Sequence, residues 1–191
     1  MAYDAEQTRQ ELLTAATAEF AERGLAGARV DRIAVAAGVN KQRIYGHFGS
    51  KDQLFDAVLA RTMREAAASK PLQPDETPGE YTARTFDFHR EQPELLQLLM
   101  WEALSRPVAS AVTDTERQDH YDEKIKSMMV MAGLQEQDAR FALFTVLALA
   151  TYAHAFPQVT TLVMGQEHVG DELRARLAES LDRFLGSGRS D

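Results

Sequence analysis

Val-Asp-Arg-Ile-Ala-Val-Ala-Ala-Gly-Val-Asn-Lys-Gln-Arg-Ile-Tyr-Gly-His-Phe-Gly-Ser-Lys, residues 30 to 51, decides the fold. It reads as two short helices around a tight glycine turn. Ile33, Ala34 and Ala37 recur at helical spacing and form the buried stripe of the first helix. Ala34 is small enough for a second helix to cross closely. Gly38 can take a positive φ without steric cost, so it ends one helix and reverses the chain. Val39 plugs the corner, and Asn40 is a good N-cap for the next helix. That helix, about Lys41 to Phe48, buries Ile44 and Phe48. Lys41, Gln42, Arg43 and His47 are left for its other faces. A helix-turn-helix reads the major groove with the N-terminal side chains of its second helix. Gln suits adenine edges there, and Arg suits guanine edges. A plain helical hairpin with a solvated polar face would have the same corner.

The distribution of charge bears on DNA binding. Net charge over all 191 residues is −8, which is unfavourable for a nucleic-acid binder. Between Arg23 and Lys51, however, Arg23, Arg29, Arg32, Lys41, Arg43 and Lys51 face a single acid, Asp31. This local excess of +5 leaves −13 on the remainder. A basic tip on an acidic body is drawn to DNA in one orientation and repelled in the others.

The rest of the chain reads as helices, with no strand alternation and no repeats. An opening helix of about Asp4 to Arg23 has Leu12, Leu13, Ala16 and Phe20 on its apolar face and stops at Gly24. A fourth begins after Ser50 and runs to about Ser69, and three prolines in 71–78 then mark a loop. Thr77-Pro78 caps a helix to about Glu91. Further helices follow from Pro93, from Pro107 through to Gly133, from Gln135 to Phe156, and from about Val169 to Leu185. A short turn is expected between Pro157 and Gly165, and a frayed tail over 186–191. The expected fold is all-α, with a three-helix helix-turn-helix unit over 1–50 and a helical bundle over 51–191. The fourth helix is expected to span both.

Residues 141–156 are apolar nearly all round, and such a helix must be covered on most sides. With interruptions at Thr145, Thr151 and His154, the stretch is too short for the ~20 residues of a membrane span. Two copies, joined by the stripe of the last helix, would form a four-helix contact about a twofold axis. The candidate interface is Phe141, Phe144, Leu147, His154, Leu173, Leu177, Leu181 and Phe184. The other reading is the centre of a monomeric bundle. With no cysteine and no secretory signal, the chain fits a reducing cytoplasm. No nucleophile elbow, phosphate loop or zinc-protease motif occurs, so neither an enzyme nor a cofactor is expected. Asp119, His120 and Glu123 could share a helical face and bind a metal weakly. A solvated polar face is the simpler reading, and no metal site is expected.

The chain resembles the tetracycline-repressor (TetR/AcrR) family of bacterial transcription regulators. The resemblance rests on Leu12, Ala15, Ala16, Phe20, Gly24, Val30, Ile33, Ala34, Ala37, Gly38, Val39, Asn40, Ile44, Tyr45, His47, Phe48, Lys51 and Leu54. It implies phosphate contacts for Arg29, Tyr45, His47 and Lys51, and base or phosphate contacts near Asn40, Lys41, Gln42 and Arg43. It also implies a homodimer on a pseudo-palindromic DNA operator. A small-molecule effector pocket is implied among the middle helices, with Phe86, His89, Met100, Trp101, Leu104, Tyr121, Met128, Phe144 and Tyr152 as wall candidates. Each of these, taken singly, is better explained as a core residue. The implied mechanism is repression relieved by an effector that tilts the fourth helix. A ligand-independent DNA binder and a small helical enzyme or carrier are the alternatives. Ala28 stands where the family often has a capping Thr, Arg29 replaces a Ser or Thr, and Gln42, Arg43 and Gly46 are unusual. These departures leave the operator sequence unreadable by analogy.

Overall fold

The computed structural model describes residues 2–69, 71–73, 75–112 and 114–187, with side chains described from Glu6 onward, except those of 111, 112 and 187. Lys70 and Pro74 of the expected loop, and residues 188–191 of the expected tail, lie outside the described residues. The helices are α1 (Ala2–Gly27), α2 (Val30–Ala36), α3 (Lys41–Phe48), α4 (Lys51–Ser69), α5 (Pro78–Glu91), α6 (Glu94–Ser105), α7 (Val108–Val112), α8 (Thr115–Ala132), α9 (Glu136–Ala155), α10 (Pro157–Met164) and α11 (Asp171–Ser187). A single 3-10 turn, Gln166–His168, precedes α11. Packing divides the chain into two compact units: 1–70 with 94–110, and 71–93 with 111–191.

In the first unit Leu12, Leu13, Phe20, Ile33, Ile44, Leu54, Phe55, Val58 and Leu98 are buried. The rings of Phe20 and Phe55 meet edge to face at 5.2 Å. α4 packs here through the buried residues of its first half, its first turn capped by Ser50 Oγ, which accepts from Gln53 N at 3.1 Å. Leu54, Phe55, Val58 and Leu59 of α4, beyond the division expected after residue 50, close the same core as α1. Sequence reading also placed α6 with the bundle, whereas α6 lies against α1. Trp101 of α6 donates its indole N–H to Ala21 O at 3.0 Å. At Gly24 the chain kinks with φ 66° and ψ 176°. A Cβ there would lie 2.6 Å from the Trp101 ring.

The second unit is built on α5, α8, α9 and α11. One cluster gathers Tyr81, Ile125, Met128, Ala142, Leu143, Val146 and Leu181; another gathers Phe86, Ala150, Ala153 and Leu173. The alanines of α9 let its neighbours approach closely. The single helix expected from Pro107 to Gly133 is instead broken into α7 and α8. Asp114 accepts from Arg117 N at 3.1 Å and so begins a new helix. Between α9 and α10 the axis turns through 93°. No single helix among the described residues is long and apolar enough to cross a membrane.

α5 begins with a reciprocal cap. Thr77 Oγ1 accepts from Glu80 N, and the Glu80 carboxylate accepts from Thr77 N. Asp182 of α11 adds to it, accepting from Gly79 N at 2.8 Å and from the Thr77 hydroxyl at 2.9 Å. Asp182→Ala removes both bonds and is expected to cost about 1–2 kcal/mol. Thermal unfolding by circular dichroism should then shift down by about 5 °C. An unchanged melting temperature would show that the local Thr77–Glu80 pair suffices.

Candidate nucleic-acid interface

The turn between α2 and α3 forms as its residues dictate. Gly38 takes φ 66°, and its N–H donates to Val35 O at 3.2 Å. Val39 N closes the corner on Ala34 O at 3.0 Å. Asn40 caps α3, its Oδ1 accepting from Arg43 N at 2.8 Å. Ile44 and Phe48 are buried, which anchors α3 by one face. Lys41, Gln42, Arg43 and His47 are exposed, and Tyr45 is 41% exposed. The side-chain oxygen of Asn40 is committed to the backbone of α3. Lys51 is half-buried and donates Nζ–H to Ala28 O at 3.2 Å.

The absent Thr and Ser before α2 are replaced from α1. Arg29 is the N-cap residue of α2 and makes no side-chain cap. Its backbone N–H instead donates to Glu19 Oε1 at 2.8 Å. The same carboxylate accepts from Arg32 Nε at 2.8 Å. The Arg32 hydrogen bond outweighs desolvation and holds Glu19 below the usual carboxylate range. Arg32, one of the cations of the basic tip, thus fixes α2 to α1, while the Arg29 side chain stays exposed. Sequence reading missed Glu19, because its partners lie ten and thirteen residues away. It also left Asp31 without a role. Asp31 Oδ1 is 3.0 Å from Lys41 Nζ.

The candidate effector residues are divided between the units. Met100, Trp101 and Leu104 lie on α6 in the first, with Leu104 77% exposed. In the second, Phe86, His89 and Met128 are buried, Tyr121 flanks the core, and Phe144 and Tyr152 are exposed. His154 packs against Phe86 with the rings tilted at 53° and 4.3 Å between centroids. Burial pushes its imidazole below the ordinary histidine range, and its Nε2 has no hydrogen-bond partner among the described residues. A cavity of about 270 Å³ lies between α9, α10 and α11, walled by Leu149, Tyr152, Val159, Val163, Met164 and Leu177. Of the wall candidates named from sequence, only Tyr152 reaches it.

Of the candidate interface residues, Phe141, Phe144 and Phe184 are exposed, and Leu147 and Leu177 are partly so. Leu173 and Leu181 are 7% and 1% exposed and belong to the protomer's own core. The stripe on α11 is thus largely consumed within one chain. No cluster of His, Asp and Glu among the described residues could hold a metal ion.

A family model described as bacterial regulatory proteins, tetR family, matches residues 12–58. A second, tetracyclin repressor-like C-terminal domain, matches residues 78–183. The HTH-type transcriptional repressor SCO4008 of Streptomyces coelicolor is 36% identical over 192 residues, covering 96% of this chain and 98% of its own. The HTH-type transcriptional repressor NicS of Pseudomonas putida is 33% identical over 54% of this chain and 51% of its own. Among solved structures, the transcriptional regulator SCO4942 of Streptomyces coelicolor superposes with a TM-score of 0.73 at 28% identity, covering 93% of this chain and 97% of its own. A TetR-like regulator from Rhodococcus sp. RHA1 gives 0.61 at 25% identity, over 95% and 97%. The exposed helix-turn-helix and these full-length likenesses agree: the chain belongs to the TetR family of DNA-binding transcriptional regulators.

Proposed function

We propose that the chain acts in the cytoplasm as a homodimeric repressor, released from a pseudo-palindromic operator by a small, largely apolar effector. The helix-turn-helix within residues 1–50, with Lys51 just after it, carries the DNA-reading function, and the bundle within 51–191 carries dimerisation and the effector. The observation that supports this most is the face of α3: Lys41, Gln42 and Arg43 are all exposed at its start, while Ile44 and Phe48 hold it by the other side. Gln42 and Arg43 read base edges. Arg29, Tyr45, His47 and Lys51 position the head on phosphates, which fixes register without reading sequence. Asn40 sets the geometry of α3 through its cap. A twofold pair of heads would meet successive major grooves about 34–36 Å apart.

The effector acts only through its difference in affinity between DNA-competent and DNA-incompetent states. The cavity between α9, α10 and α11 has the apolar walls such a ligand needs, though at about 270 Å³ it suits a small one.

The test is selection of bound fragments from genomic DNA, followed by titration of the best duplex. Arg43→Ala should weaken binding to that duplex about 10- to 100-fold and relax preference at one base pair of each half-site. No salt-dependent, sequence-selective binding by the wild-type chain would refute the DNA-reading role.

A further inference from the structure

Asp31 is the only acid between Arg23 and Lys51. It sits in the first turn of α2 with its side chain 71% exposed. The backbone donor at the entry to α2, Arg29 N–H, is taken by Glu19. Asp31 instead reaches the first residue of α3, Lys41, whose side chain is 47% exposed. The bond raises the Lys41 ammonium above its ordinary range.

A DNA phosphate would offer Lys41 the same chemistry: an anionic oxygen at hydrogen-bond distance. Lysine is a compact point charge on a flexible stem, so one strong anion can hold it away from another. Exposed ion pairs are weak, so such a hold is displaceable rather than permanent.

We propose that Asp31 is an internal competitor for the phosphate at Lys41, and so sets the DNA affinity of the head. In the free protein it occupies the leading cation of the recognition helix. Passing duplex gains little from Lys41, and a phosphate engages it only by displacing the carboxylate. The inference rests on α3 being the DNA-reading helix.

The experiment compares wild type, Asp31→Asn, Lys41→Ala and the double variant by fluorescence anisotropy. Two probes are used: a duplex selected by the wild-type chain, and an unselected duplex of equal length. Asp31→Asn should bind both about fivefold tighter. Its plot of log affinity against log salt should steepen by nearly one, the signature of an added phosphate contact. Lys41→Ala should cost less than about twofold in the wild-type background but about fivefold in the Asp31→Asn background. Equal costs in the two backgrounds would overturn the proposal, because Asp31 would then act only as a distant charge. Unchanged affinity for Asp31→Asn would overturn it too. Asp31→Ser is the second variant should the asparagine lower the melting temperature. Wild type failing to bind either duplex would remove the DNA-reading role itself, and this proposal with it. That outcome is distinct from a wild type that binds while Asp31→Asn changes nothing.

Discussion

Phe144→Asp is expected to halve the native mass, leaving a 21.3 kDa protomer in sedimentation where the wild-type chain runs at twice that value. Phe141, Phe144, Ala148 and Tyr152 follow one another at helical spacing along α9, and the three aromatic side chains are exposed in the protomer. Phe144 is 67% exposed and Phe141 55%. The ring of Phe184 on α11 lies 6.3 Å from that of Phe141, which widens the apolar stripe. Ala148 in its middle allows close approach of a second α9. In a twofold contact each residue on the axis-facing stripe acts twice. Aspartate at 144 would bury two uncompensated charges, at several kcal/mol each. The protomer should still fold, because this side chain contributes little to its core, so helical circular dichroism should be unchanged. Operator affinity should fall at least ~100-fold, since two linked heads gain about that much over one. A wild-type chain that sediments as a protomer would refute the homodimer, and a Phe144→Asp variant that still pairs would place the contact elsewhere.

Gly24→Ala should be the most damaging small substitution in the head, and Gly46→Ala its opposite. Gly24 combines φ 66° with ψ 176°, a region essentially reserved for glycine, which costs other residues about 1–3 kcal/mol. The new methyl would also meet the Trp101 ring at 2.6 Å. Trp101 would then have to shift and give up its bond to Ala21 O. Together these are expected to cost about 3–4 kcal/mol, or roughly 10 °C in melting temperature. At Gly46 a Cβ meets nothing within 4 Å, and the residue lies inside α3. Alanine there should stabilise by up to about 1 kcal/mol. Melting curves of the pair read both signs at once. Equal shifts would refute both the backbone strain at Gly24 and the contact with Trp101.

These contrasts follow how far each feature could be read along the chain. The corner at Gly38 was legible because its requirements are local: a positive φ, a cap three residues before Arg43, and two apolar anchors. The break before α8 was not, since Asp114 reads equally as a solvated helical residue until Arg117 N is seen bonded to it. The stripe Leu173, Leu177, Leu181 correctly announced a covered face, but periodicity does not say by what. Leu173 and Leu181 turn out to be covered by their own protomer. An effector wall is the hardest feature to read from sequence, because aromatic residues collect in cores and cavities alike. Trp101 illustrates this: its ring covers a kink in α1. Glu19 was missed because a cap supplied from another helix leaves no mark beside the helix it caps.

α6 joins the unit that holds the helix-turn-helix only after an excursion of more than twenty residues through the other one. Recombinant hybrids that exchange the N-terminal segment at residue 50 or 70 therefore leave behind the helix that shields α1. Such grafts would strip Leu98 and Trp101 from beneath the transplanted tip. A workable chimera of this regulator has to carry 94–110 along with its sequence-reading end.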